Sequence, residues 1–136
     1  MYQYSLLHIP PYQFLIPLVE LKEVRPTPYI TPVPQAPSYV LGLFPIRGAL
    51  CTLLCLPTLL NFTKDDSQFS KAIILDHKIG LFALEAVDVD IISFHEEARA
   101  PLPNLPFSEW VSGMFSTSKG EFFVLNFEPL RDIVLS

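Results

Sequence analysis

The chain has 136 residues, with 14 prolines, only 5 glycines, 50% hydrophobic residues, 17% charged residues and a formal net charge of −5. An average soluble domain carries about 5% proline, about 7% glycine and about 25% charged residues, so this composition is proline-rich, glycine-poor and short of charge. It excludes a helical bundle, because each interior proline removes a donor and clashes with the preceding turn, and it excludes disorder, which needs low hydrophobicity and high charge.

The mean hydropathy of +0.37 is high for a solitary soluble domain and points to apolar surface covered by a partner. The basic residues are dispersed from Lys22 to Arg131; a nucleic-acid binder needs them clustered, so no nucleic-acid partner is expected. MYQYSLLHIPP lacks the charged start and the cleavage site of a secretory signal. The apolar run Ala49 to Leu56 stops at Pro57, well short of the ~20 residues of a membrane span. A cytoplasmic protein without direct membrane insertion is expected. Cys51 and Cys55 on one strand would lie about 13 Å apart, too far for a disulfide. His8, His77 and His95 are isolated, so neither cysteine has the company a zinc site requires. Two reduced core thiols are expected.

In chain order, Tyr4 to Ile9 and Tyr12 to Ile16 read as strands around a Pro10-Pro11 turn. LVELKEV (Leu18 to Val24) has a helix-like spacing sufficient for one or two turns. Arg25 to Pro37 carries five prolines and must be extended along a sheet edge; a polyproline ligand is the alternative reading. Tyr39 to Phe44 and Ala49 to Leu54 flank a Pro45-Ile46-Arg47-Gly48 turn, and Leu56 to Phe62 reads as a short helical turn or loop. The polar stretch Thr63 to Ser70 is the best candidate for an internal boundary. Lys71 to Asp76 and Ile79 to Leu84 form a hairpin about His77-Lys78. Val87, Val89 and Ile91 alternate with Asp88 and Asp90, the period-2 pattern of a half-buried strand. After the polar, proline-broken stretch Ser93 to Pro106, Trp110 to Ser116 and Glu121 to Phe127 flank a turn at Thr117 to Gly120, and Leu130 to Ser136 is a short tail.

Tyr39-Val40-Leu41-Gly42-Leu43-Phe44 resembles Trp110-Val111-Ser112-Gly113-Met114-Phe115 at an offset of about half the chain. A strand pair precedes each unit. The repeat predicts an all-β domain over 1–136, with minor short helices, made of two similar halves of roughly 1–64 and 65–136. Each half has about five short strands forming a small barrel, and strands are open to exchange between them over a shared core. Closure into barrels would remove the exposed edges that aggregate.

Catalytic signatures are missing: no nucleophile elbow, phosphate loop, HExxH helix or EF-hand loop is present, so no catalytic residue, cofactor site or metal site is assigned. Asp65-Asp66 and Glu96-Glu97 are adjacent loop residues and read as solvated surface, and Asp76-His77-Lys78 reads as turn chemistry.

The stretch Ile30 to Leu60, ITPVPQAPSYVLGLFPIRGALCTLLCLPTLL, resembles the hallmark segment of the CheW-like family. The resemblance rests on Ile30-Thr31-Pro32-Val33-Pro34, Ala36-Pro37, Tyr39-Val40, Gly42 and Ile46-Arg47-Gly48. LVELKEV fits the family's short helix and following strand, and Val111-Ser112-Gly113 and Gly120 fit its later glycine elements. The similarity runs from Tyr4 to Leu130 and implies two SH3-like five-stranded β-barrels sharing a hydrophobic core. It implies a non-enzymatic adaptor or scaffold in chemotaxis, coupling the cytoplasmic helical tip of chemoreceptors to the regulatory domain of a CheA-type histidine kinase. By the same resemblance Glu23, Val24, Gly42, Arg47 and Gly48 lie at kinase or receptor contacts, with Arg47 foremost. Pro45 and Ile46 depart from the family's usual Asn-Leu, and Cys55 and Leu84 stand where acidic residues are usual. The alternative is a weakly self-associating interaction module outside flagellar chemotaxis, for example in pilus-driven motility.

Overall fold

The structure is a computed structural model that describes residues 1–63, 69–100, 104 and 107–132. Ten strands make two sheets. The strands are β1 (Tyr2–Ile9), β2 (Tyr12–Pro17), β3 (Leu21–Pro26), β4 (Val40–Ile46), β5 (Ala49–Leu54), β6 (Lys71–His77), β7 (Gly80–Ala86), β8 (Asp88–Phe94), β9 (Val111–Thr117) and β10 (Gly120–Leu125). The one α-helix among the described residues, α1, is a single turn and a half over Leu56–Leu60. No helix among them is long and apolar enough to cross a membrane.

The first sheet runs β8-β1-β2-β10-β9 and the second β3-β6-β7-β5-β4. Each order converts into the other when β1 to β5 are exchanged for β6 to β10. Each half of the chain therefore places its first hairpin in the sheet that the other half completes. The junctions are the two parallel pairings, β2 with β10 (Phe14 beside Phe123) and β5 with β7 (Leu53 beside Ala83). Parallel neighbours need a long crossover rather than a tight turn, which the exchanged connectivity supplies.

Three buried clusters follow from period-2 alternation in strands buried on both faces. On one face of the first sheet Leu6, Leu15, Phe122 and Val124 pack with Tyr4, Phe94 and Phe115, the last two rings stacked at 3.7 Å. On one face of the second sheet Phe44, Ile46, Cys51, Leu53, Ile74 and Ala83 do the same. The other faces meet in a larger shared core in which Leu7, Phe14, Ile16 and Phe123 of the first sheet join Leu54, Ile73, Phe82 and Leu84 of the second. The expected all-β fold with two SH3-like units over a common core is observed.

Several local expectations need correction. The units are not closed barrels: each sheet keeps two edge strands. Chain segments cover two of these edges. Thr31 exchanges two backbone hydrogen bonds of 2.8 Å with Leu43 on β4, and Arg99 exchanges bonds of 3.1 and 2.9 Å with Met114 on β9. LVELKEV is helical only in its first turn, the short helix and following strand that the resemblance implies, and not over the two turns that its spacing allows. It is the 3-10 turn Leu18–Glu20 followed by β3, because pairing of Leu21 to Pro26 with β6 outweighs a weak helical spacing. Pro45 and Ile46 belong to β4, leaving a two-residue turn at Arg47-Gly48. Likewise His77 pairs with Gly80 across a Lys78-Ile79 turn. In β8 the alternation holds, with Val89 and Ile91 on one face and Ile92 turned toward the first sheet's own cluster, but Ile91 is 63% exposed rather than half-buried. The region proposed as an internal boundary, Thr63 to Ser70, lies largely outside the described residues, as do parts of the Ser93 to Pro106 stretch and the tail beyond Asp132.

Candidate functional site

The Thr31 strap can lie on β4 because residue 42 has no side chain. A Cβ on Gly42 would sit 2.6 Å from the Thr31 carbonyl oxygen. Its counterpart Gly113 plays the same part, since a Cβ there would fall 2.7 Å from the Ala98 Cβ and 3.2 Å from the Arg99 oxygen. The repeat seen in the sequence thus has a steric cause. Gly42 is buried, and what it does in this structure is seat the strap.

At the tip of the β4–β5 hairpin Arg47 has φ +47° and Gly48 φ +83°. Two successive positive φ values mark the type I′ turn that matches the twist of a hairpin, and they suit asparagine and glycine better than arginine. The guanidinium is 70% exposed and its Nη2 lies 3.8 Å from Glu23 Oε1 on β3. The same carboxylate oxygen accepts a hydrogen bond from Arg25 Nη2 at 3.3 Å. Glu23 and Arg25 stand two apart on one side of β3, so one half-buried carboxylate serves two cations. β3 and β4 are opposite edges of the second sheet, and this ion cluster joins β3 to the β4–β5 tip where no backbone pairing does. Inside, burial pushes the Cys51 thiol up to about 11 against the opposing charge of Arg25, so it stays a neutral core group.

Val24 points the other way along β3. With Leu21, Lys71, Asp88, Val89, Asp90 and Ile91 it lines a groove of about 450 Å³ between β3 of the second sheet and β8 of the first. These are the two edges that no chain segment covers among the described residues. Val24 is 40% exposed, and Val19, in the 3-10 turn before β3, is almost fully exposed. A separate apolar patch lies beside Arg47, where Pro45 and Leu50 form a cross-strand pair with Leu50 67% exposed. In the equivalent pair of the first sheet the residues are Ser116 and Glu121. The two halves share a backbone plan and differ in surface chemistry.

Of the five residues singled out from the sequence, Glu23, Arg47 and Gly48 gather at one end of the second sheet. Val24 lies on the adjoining face of β3, and Gly42 is apart from them under its strap. Arg25, Ile91 and Leu50 were missed. The alternation of Glu23 with Arg25 was visible in the sequence, but exposure of Ile91 and Leu50 depends on which edges are left open. The departures at Cys55 and Leu84 have structural uses: Cys55 Sγ accepts a hydrogen bond from Thr58 Oγ1 at 3.2 Å, and Leu84 is fully buried in the shared core.

Two SH3-like units, built by exchanged hairpins around one core, make a paired interaction module. The chain belongs to the CheW-like domain family, which it matches over residues 3–132. Among solved structures it is similar to the scaffolding protein TtCheW from Thermoanaerobacter tengcongensis. That likeness has a TM-score of 0.87 at 17% identity and covers 98% of this chain and 89% of that one. At that identity it speaks for the fold. No curated protein matches the chain.

Proposed function

We propose that this chain is a non-enzymatic adaptor that couples chemoreceptors to a CheA-type histidine kinase. Membership of the CheW-like family supports the coupling role. The observation that carries the reading to particular surfaces is the groove between the uncovered edges of β3 and β8, where Leu21, Val24, Val89 and Ile91 lie among the charged Lys71, Asp88 and Asp90, with the Glu23–Arg25–Arg47 cluster at the other side of β3. In this reading the groove takes the helical tip of a receptor, whose apolar ridge covers Val24, Val89 and Ile91. The Pro45–Leu50 patch and Arg47 dock the homologous regulatory domain of the kinase. Each contact is of standard size or smaller, about 1,200–1,600 Å² in total, hence transient singly and reinforced in an array.

Pull-down of a receptor cytoplasmic fragment and of the kinase regulatory domain tests the assignment. Ile91→Asp is expected to lose the receptor fragment and keep the kinase domain, whereas Leu50→Asp does the reverse. Loss of both partners by either variant, with an unchanged thermal melt, overturns the division of surfaces. The same open edges favour weak self-association as a second reading. Light scattering over a range of concentrations separates the two, because an adaptor that needs a different partner stays monomeric.

A further inference from the structure

His77 ends β6 with only 10% of its side chain exposed, edge-on to Phe127 at 6.1 Å and tilted against Phe82 at 6.3 Å. Its Nδ1 accepts the backbone N–H of Ile79 at 3.1 Å, across the β6–β7 turn. A neutral ring in that position carries its proton on Nε2, and Nε2 lies 3.5 Å from Glu20 Oε1. Glu20 comes from the 3-10 turn between β2 and β3. Lys78, next in the β6–β7 turn, and Arg131 both pair with Glu128, in the 3-10 turn that follows β10. A cleft of about 400 Å³, lined by Glu20, His77, Lys78, Asn126 and Glu128 among others, opens this cluster to water.

We propose that His77 is an acid-operated release for the Ile79 amide in the β6–β7 turn. A second proton has only Nδ1 to bind, and Nδ1 already faces the Ile79 N–H. Two donors cannot share one contact, so the imidazolium must give up its hydrogen bond with the Ile79 amide, while the pairing of His77 with Gly80 still closes the hairpin. Glu20 is the group that rewards protonation, since its carboxylate then faces a full positive charge. Glu128 adds little because Lys78 and Arg131 already hold it, and their positive charges oppose a new one. Asp76 lies on the opposite, exposed face of β6 and takes no part. Burial raises the Glu20 carboxyl above its ordinary range, and the charges of His77 and Lys78 offset only part of that rise.

The test is nuclear magnetic resonance between pH 8 and pH 5, recording the His77 ring nitrogens and hydrogen exchange of the Ile79 amide. At pH 8 the Nε2–H tautomer is expected. As the ring gains its second proton, Ile79 protection, corrected for intrinsic exchange, falls at least tenfold while Ile73 and Ile74 in the body of β6 keep theirs. Glu20→Gln, which leaves the turn bond in place, is expected to move the ring's midpoint down. The proposal is overturned by an Nδ1–H tautomer at pH 8, by a ring that stays neutral to pH 5, by titration without loss of Ile79 protection, or by an unmoved midpoint in Glu20→Gln.

Discussion

Arg47 sits where the backbone prefers asparagine or glycine, and its guanidinium is mostly in solvent with a 3.8 Å contact to Glu23. A left-handed conformation costs an L-residue roughly 1–2 kcal/mol, and an exposed ion pair returns at most about 1 kcal/mol. Arg47→Asn is therefore expected to leave stability unchanged or raise it by up to about 1 kcal/mol, read by chemical denaturation, while weakening capture of the kinase regulatory domain. A clear loss of stability would mean that Arg47 is kept for the fold. Gly42 and Gly113 are the opposite case. Alanine at either position meets backbone or a neighbouring Cβ that has no room to move, and a cost of about 1–3 kcal/mol is expected from each. Two glutamates set opposite pH slopes. The hydrogen bond from Lys78 holds the Glu128 carboxyl below its ordinary range, so its contribution is present above about pH 4.5 and is lost as pH falls through the lower folded value. Burial raises Glu20, so the folded state binds that proton more tightly than the unfolded one. Glu20 then favours folding in acid, and this gain is lost as pH rises through its folded value. Lys78→Met should flatten the acid loss, and Glu20→Gln should steepen it; denaturant melts at several pH values between about 3 and 6 decide.

At the scale of elements, four sheet edges are handled in two ways. Straps at Thr31 and Arg99 seal β4 and β9, and both straps depend on a glycine beneath them. The repeated glycine is visible in the sequence, but the close approach it serves is not, since Ser93 to Pro106 reads only as a polar, proline-broken stretch. The proline-rich run before β4 showed itself as an edge segment, since residues without donors lie harmlessly there. The open edges were not legible. Period-2 alternation in β8 places Val89 and Ile91 on one face, but whether that face is covered depends on β3, which is more than sixty residues earlier in the chain. The Glu23–Arg47 contact was hidden for the same reason, as it joins opposite edges of one sheet. The spacing of Leu18 to Val24 leaves the end of its helix undecided, because two turns of helix and a 3-10 turn entering a strand share the same apolar spacing over so few residues. Opening the Arg99 strap by Gly113→Ala should expose the β9 edge and raise aggregation, which turbidity on mild heating will report.

On the whole-molecule scale, the two sheets cannot be separated by cutting the chain once. We expect fragments 1–64 and 65–136 to be unfolded alone and to restore the native circular dichroism when mixed, because each lacks a hairpin that the other holds. Failure to recombine, or independent folding of either fragment, would show that the halves do not depend on one another. Phe14→Ala, in the shared core, is expected to cost about 3–5 kcal/mol and to lower fluorescence of Trp110 and far-ultraviolet dichroism in a single coincident transition.

The parallel seam between β2 and β10 also sets the timetable of synthesis. The second sheet has all its strands once Ala86 has emerged from the ribosome, whereas the first waits for Leu125. At about 5–20 residues per second that interval is about 2–8 s. Within it β8 can join β1 as soon as Phe94 is out, but the β2 edge, with Phe14 and Leu15, waits for β10. The nascent chain is then most exposed to chaperones and to capture by other chains. Slower translation between β7 and β10 should lower the soluble yield of this protein more than the same delay placed before β1.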